Sequence, residues 1–266
     1  MTDALPGWAK DVLRKRERIE AILGQPIGDL YGCGHFGCVF RSTPPWSVKL
    51  TRDPTEGAMW AQLASFVRDN NYGTGGIARV RDIVRLRPDI TFRRRTWPVH
   101  AVVREEILPL WEDRAGAGHV LTPYSQERLR ITKPRVYRPY ESSEAKEFDE
   151  LLTGLGAYRE AATRWHEAAR FRHAYRARPI QEEAERKMLS ATNLMSGPIG
   201  GYIGETLTVL ADDGIYLRDV HQMNIGWRVH SRIGDEDELP ETLIIFDPGH
   251  TPTGTEPEIR EATPNR

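Results

Sequence analysis

Asp219, Asn224 and Asp247 are three oxygen donors spaced as a proton acceptor and a metal site require. The first two lie in Leu217-Arg218-Asp219-Val220-His221-Gln222-Met223-Asn224. The third follows the apolar run Leu243-Ile244-Ile245-Phe246 and opens Asp247-Pro248-Gly249. A carboxylate on an extended loop can take the proton of an attacking hydroxyl. An amide oxygen and a second carboxylate suit Mg²⁺, which is held by one or two carboxylates and fills its shell with phosphate oxygens. Asp219 is therefore the candidate base, and Asn224 and Asp247 are the candidate metal ligands. A loop containing Asp and Asn is commonly only a turn. The second Asp at the end of the next apolar run is what favours the metal reading.

A second group lies near the start of the chain. Gly32-Cys33-Gly34-His35-Phe36-Gly37-Cys38-Val39 reads G-x-G-x-x-G-x-V. Glycines let backbone N–H groups approach a bulky anion without Cβ clashes. The same string occurs in dinucleotide-binding turns between a strand and a helix. Here the residues after Gly37 are β-prone and run into Pro44-Pro45, so they predict a β-hairpin instead. Ser47-Val48-Lys49-Leu50 then places a lysine in an alternating apolar strand, either as an edge charge or as a phosphate ligand. Glu56 is the candidate carboxylate to orient Lys49. It fits equally as the N3 half of a helix-capping box. Glu105 and Glu106 are rival partners on a different strand. His221 is a candidate phosphate or substrate contact, and His250 reads as structural or solvated.

These residues need elements to hold them. Helical spacing covers 7–23 and stops at Gly24. Strands are expected over 27–31, 38–41 and 46–50. Asp53-Pro54-Thr55-Glu56 announces a helix to about residue 68. Strands over 78–87 and 98–105 complete a small antiparallel sheet with one helix. Residues 142–195 predict two or three helices, with Pro179 breaking the run. A helix over 199–210 follows, ended by Asp212-Asp213-Gly214. A strand pair is expected at 225–229 and 242–246, joined by the acidic loop 234–238. The tail from Thr251 reads as irregular.

The ordered set of glycine loop, Lys49, Glu56, the hinge-like Val102-Val103-Arg104-Glu105-Glu106-Ile107, Asp219 with Asn224, and Asp247-Pro248-Gly249 resembles the protein kinase-like superfamily. The resemblance spans residues 27–250. It implies an α+β, bilobal fold with a small antiparallel β N-lobe carrying one helix. The mostly helical C-lobe would be cut short after the metal-binding Asp. The implied segments are an N-terminal helix (1–25), an N-lobe (26–108) and a C-lobe (109–266). The last holds a helical insert (142–195), a catalytic loop (217–226) and the metal motif (247–249).

By the same resemblance the cofactors are ATP and Mg²⁺. Gly32, Gly34, Gly37 and Val39 would cover the nucleotide, with adenine against the backbone near Glu105 to Ile107. Lys49, paired with Glu56, would hold the α- and β-phosphates. Asn224 and Asp247 would hold the metal, and Asp219 would be the base. The implied reaction moves the γ-phosphate to a hydroxyl acceptor, with a protein Ser/Thr side chain placed first. A small-molecule kinase, a nucleotide-binding pseudokinase or regulatory module, and an AMP transferase are the alternatives.

The chain also departs from the family pattern. Leu217 stands where a His is usual, and His221 where Ser/Thr kinases carry a lysine. Pro248 replaces a Phe, and Glu56 follows Lys49 more closely than is usual. Only 17 residues follow Gly249, with no Ala-Pro-Glu element, so the insert 142–195 is expected to replace the bulk of the later helices. These features suggest a compact, divergent kinase of bacterial or phage type. Aminoglycoside-type phosphotransferases share the same Asp, Asn and later Asp logic.

The composition is compatible with this. The 266 residues suffice for one large domain or two lobes. With 37 Lys+Arg against 38 Asp+Glu the net charge is −1, which argues against a nucleic-acid partner. Arg93-Arg94-Arg95 reads as a solvated hairpin tip. No apolar run approaches the roughly 20 residues of a membrane helix, so no membrane partner is expected. The charged N-terminus lacks a signal-peptide core, and the expected location is cytoplasmic. Cys33 and Cys38 make neither a disulfide framework nor a zinc site. They read as small apolar filler, with a redox pair as the lesser alternative.

Overall fold

The computed structural model describes residues 5–34, 36–69, 76–92, 95–109, 111–114, 117–120, 143–171, 173–195, 197, 200–221, 224–228, 243–246 and 259–263. It is an α+β protein whose chain divides into two units. The first contains 1–73, 79–106 and 254–266; the second contains 74–78 and 107–253.

Period-two alternation builds the first unit. Strands β1 (Leu30–Cys33), β2 (Gly37–Arg41), β3 (Trp46–Thr51), β4 (Val80–Phe92), β5 (Arg95–Glu105) and β11 (Arg260–Ala262) form one sheet in the order β1-β2-β3-β5-β4-β11. The neighbours are antiparallel except β11, which runs parallel to β4 and makes the sheet mixed. Successive side chains of a strand point to opposite faces. Val48, Leu50, Val99, Ala101 and Val103 thus share one face. Helices α1 (Gly7–Leu13) and α2 (Arg16–Leu23) cover it with Trp8, Ala9, Val12, Ile19 and Leu23. Ser47, Lys49 and Thr51 take the other face, where helix α3 (Pro54–Asp69) packs on β5.

Several boundaries differ from the sequence reading. The single helix expected over 7–23 is two, broken where Lys15 leaves helical geometry at φ −108°, ψ 24°. The apolar spacing continues across this break, so periodicity alone does not reveal it. Gly24 does end α2, in the left-handed region at φ 59°. The tail expected to be irregular contributes β11. Glu261 pairs with Arg85 and Arg87 of β4, and Arg260 pairs with Asp82.

Helix α3 begins as its sequence announces. The Asp53 carboxylate accepts the Thr55 backbone N–H at 3.0 Å and the Thr55 hydroxyl at 2.6 Å. One residue after Glu56, Gly57 rests against the imidazole of His100 on β5. A Cβ there would come within 2.6 Å of the ring. Burial holds the His100 pKa below its ordinary value.

In the second unit, β6 (Ile107–Pro109), β9 (Ile225–Arg228) and β10 (Leu243–Ile245) form an antiparallel sheet in the order β10-β9-β6, and β7 (Trp111–Arg114) pairs with β8 (Ala117–Val120). Helices α4 (Ser143–Ala169) and α5 (Ala174–Leu194) pack along each other, and α6 (Gly201–Asp212) packs on α5 and β10. Pro179 does not break the helical run; it lies inside α5 on the exposed side. It costs one backbone bond near the helix start, and the helical run is instead interrupted between Ala169 and Ala174. The acidic loop 234–238 and residues 247–258 lie outside the described residues. Among the described residues, no helix is long and apolar enough to cross a membrane.

Gly57→Ala is expected to lower the stability of the first unit by about 1–3 kcal/mol, the range for overpacking a tight contact. Urea unfolding measures it, and an unchanged midpoint would contradict the close α3–β5 approach.

Candidate functional site

Lys49 sits in mid-sheet, directly opposite Val39 on β2 and Val102 on β5. Its ammonium lies 2.5 Å from Glu56 Oε1, with the two side chains 8% and 10% exposed. The same carboxylate oxygen accepts the indole N–H of Trp60 at 3.3 Å. Glu56 therefore faces the sheet lysine, and the Asp53 N–H of the supposed capping box donates to Thr51 Oγ1 at 3.1 Å. The rival carboxylates have other work. Glu105 Oε2 accepts the Arg79 N–H at 3.2 Å, and Glu106 accepts the Tyr31 hydroxyl. Burial and that carboxylate push the Tyr31 pKa up. Ile107 opens β6, and the division between the two units falls between Glu106 and Ile107, inside the hinge-like run.

The glycine motif is a β-hairpin, as its sequence predicts. The Gly34 N–H donates to Gly37 O at 2.8 Å, between the ends of β1 and β2. Gly37 lies against Lys49: a Cβ there would come within 3.0 Å of Lys49 Cε. Gly32 and Gly34 are different. A Cβ on either would meet no described atom within 4 Å, and neither has a left-handed φ. Nothing among the described residues demands glycine at these two positions, whereas an anion drawn close to the backbone would. Arg52 steadies the hairpin. Its N–H donates to Phe36 O at 2.9 Å, and its guanidinium lies over the rings of Phe36, Trp8 and Trp97.

The two cysteines are not filler. Cys33 and Cys38 are cross-strand partners one step outside the Gly34–Gly37 pair, and a disulfide joins them. That step of an antiparallel ladder brings Cα atoms closest, here 4.1 Å apart. The five-residue separation makes them opposite only once the segment is a hairpin.

In the second unit, α6 ends and Gly214 turns the chain at φ 73°. Ile215, Tyr216, Leu217 and Val220 are buried, which leaves Asp219 half-exposed between anchors. The Asn224 amide donates to the Asp219 backbone carbonyl at 2.7 Å and to Asp219 Oδ2 at 3.3 Å. His221 Nε2 lies 3.4 Å from Asp219 Oδ1 and 3.1 Å from Asn224 Nδ2. Arg159 of α4 places Nη2 at 3.5 Å from Asp219 Oδ1. The His221 hydrogen bond, then the charges of His221 and Arg159 and the Asn224 amide, hold the Asp219 carboxyl below its ordinary pKa against the effect of burial. Asp219 is thus a carboxylate at neutral pH, the form that can accept a proton.

Asn224 fits a metal-ligand role. Hydrogen bonding commits its amide nitrogen to Asp219, so its carbonyl oxygen is the atom left for a hard cation. Phe246 donates its N–H to the Asn224 backbone carbonyl at 2.9 Å, which ties the residue after β10 to the Asn224 loop and leaves the side-chain oxygen unused by this bond. Asp247, Pro248 and Gly249 lie outside the described residues. Among the described residues no group of three or more His, Cys, Asp and Glu side chains gathers around a point.

The helical stretch 142–195 contributes side chains that sequence spacing does not reveal. His166 of α4 meets the Tyr216 carbonyl through Nε2 at 2.9 Å. Glu185 of α5 accepts the Trp165 indole N–H at 2.9 Å and the Tyr216 hydroxyl at 3.0 Å. Burial and that carboxylate push the Tyr216 pKa up to about 12, so its hydroxyl stays a donor. Trp165 packs on the Tyr216 ring at 4.5 Å. These contacts join residues far apart in sequence, and helical periodicity reports only which face of α4 and α5 is buried.

No protein-family model matches this chain, and no curated protein matches it.

Lys49→Met leaves the Glu56 carboxylate buried without its cation, a change that costs about 3–5 kcal/mol when one partner of such a pair is removed. Chemical denaturation is expected to show a loss of that order. His221→Ala removes the strongest group favouring the ionised Asp219, so the Asp219 pKa must rise. Carboxyl ¹³C NMR titration reads this directly, and an unmoved or lowered midpoint would contradict the loop geometry.

Proposed function

We propose that this protein is an ATP- and Mg²⁺-dependent phosphotransferase of the protein kinase-like superfamily, moving the γ-phosphate to a hydroxyl acceptor. The observation that carries the reading is the buried Lys49–Glu56 pair beside the glycine hairpin. A buried ion pair is a poor way to gain stability, because well-packed apolar residues do as well or better. A lysine held by a carboxylate next to backbone that has room for an anion has a clear use as a fixed phosphate-binding charge. The open Cβ positions of Gly32 and Gly34 favour the same ligand. Val39 and the segment from Glu105 to Ile107 would contact the base and sugar side of the nucleotide.

In this reading Asp219 takes the acceptor's proton, held ready as a carboxylate by His221 and Asn224. Asn224, with Asp247, would hold Mg²⁺, which supplies neutralising charge to the phosphates. The protein's contribution is positioning and electrostatics, with little covalent chemistry of its own. A protein Ser/Thr hydroxyl is the first acceptor class, and a small-molecule hydroxyl is the second. In this reading the protein works in the cytoplasm.

The test combines ATP and Mg²⁺ with the full chain and candidate hydroxyl acceptors, with mass spectrometry of the products. A gain of one phosphate is expected. Asp219→Ala should lower kcat by about 10²–10⁴-fold, the worth of a positioned general base. Gly34→Ala should weaken nucleotide binding with no change in unfolding midpoint. Nucleotide binding without transfer would make the chain a regulatory pseudokinase, and a gain of nucleotide on the acceptor would make it an AMP transferase. No nucleotide binding at all would overturn the reading.

A further inference from the structure

A phosphoryl group in transfer spreads negative charge over its oxygens, and a fixed cation beside it is among the strongest aids a protein can offer. The loop around Asp219 carries His221 at the position where the kinase pattern has a lysine. His221 is engaged with both Asp219 and Asn224. A permanent charge reaches Asp219 from elsewhere in the chain. Arg159 of α4 brings its guanidinium to Asp219 Oδ1 at 3.5 Å, an ion pair without a short hydrogen bond. Both side chains are about half-exposed, so the contact is open to a ligand.

The placement is built in. Tyr158, the neighbour of Arg159, is fully buried. One further stretch along α4, Trp165 and His166 grip Tyr216, the residue that leads into the Asp219 turn, while Glu185 of α5 locks Tyr216 and Trp165 together. The helix that carries the guanidinium is therefore clamped to the loop that carries the base.

We propose that Arg159 is a catalytic residue that contacts the phosphoryl group during transfer, supplying a fixed charge beside the base from a helix far upstream. The inference rests on the phosphotransfer reading given above. In that step the acceptor hydroxyl oxygen forms a bond to the γ-phosphorus as the bond from that phosphorus to the β,γ-bridging oxygen breaks. The bridging oxygen leaves on ADP with the electron pair, and the hydroxyl proton passes to Asp219. Arg159 forms no covalent bond and gives up no proton. Reacting atoms meet at about 3–3.5 Å, so an acceptor within reach of Asp219 brings the phosphoryl oxygens to the guanidinium, which then exchanges its loose contact with Asp219 for them.

The experiment measures kcat, KM for ATP and nucleotide affinity for wild type, Arg159→Ala, Arg159→Gln and Arg159→Lys, with and without free guanidinium ion. The expected result is a fall in kcat of about 10³-fold in the Ala and Gln variants, the lower end for a guanidinium acting on a transferring phosphate. Nucleotide affinity and unfolding midpoint should stay near wild type, and the Lys variant should recover part of the rate. Free guanidinium should accelerate the Ala variant and leave wild type unchanged. A wild-type kcat in the Ala and Gln variants overturns the inference, as does a loss that guanidinium leaves untouched. Either result with an active wild type leaves the phosphotransfer reading standing. A wild type that transfers no phosphate overturns that reading and this inference with it.

Discussion

When β3 and α3 come together, a lysine ammonium and a glutamate carboxylate each lose about nine-tenths of their exposure to water. Desolvating either charge alone is prohibitive, and only their close contact and the extra donor from Trp60 offset it. The pair works at one separation of helix from sheet. Gly57 provides that separation by allowing α3 to settle on the His100 ring. Gly37 provides it on the other side, where the hairpin strand lies against the Lys49 side chain. The apolar face of the same strands, filled from α1 and α2, keeps the sheet from rotating away. Most of the first unit can be read as the support that holds one charge in place.

The second unit solves a related problem with less burial. Its carboxylate is half in water, so its environment is made of hydrogen bonds and nearby cations rather than exclusion of solvent. The loop that bears it is tied together by its own Asp219, His221 and Asn224 and gains further stiffness from α4 and α5. Tyr216 is held through ring, hydroxyl and backbone carbonyl at once, and Asn224 is held through its side chain and both backbone groups. Chemistry on a loop requires a frame that fixes it, and here most of that frame comes before the loop in sequence.

Much of this was legible in the residues themselves. The alternation in β3 gave Lys49 its face, Asp53-Pro54 gave α3 its start, and the β-prone run after Gly37 separated a hairpin from a helix. What sequence could not give came from contacts between distant segments. Glu56 satisfied two local rules equally, and only the approach of α3 to β3 decided for Lys49. The cysteines looked like filler because their pairing exists only across a formed hairpin. Arg159, His166 and Glu185 carried no spacing signal toward Asp219, since helix-to-loop packing sets their distances. The tail looked irregular because three residues of strand, paired to one neighbour, leave little pattern.

That last strand has a consequence for how the protein is made. Residues 107–253 form a unit that interrupts the other, whose sheet is finished by β11 on the far side of the interruption. Chains fold as they emerge, N-terminal parts first. Throughout synthesis of the intervening unit, β4 therefore presents an open edge of unpaired backbone groups, the kind of surface that recruits strands from other chains. Only when Arg260 and Glu261 leave the ribosome can they bind Asp82, Arg85 and Arg87 and close that edge. The sheet carrying Lys49 is thus completed only after the whole intervening unit has been made, which makes a nascent chain dependent on protection of that edge until β11 emerges.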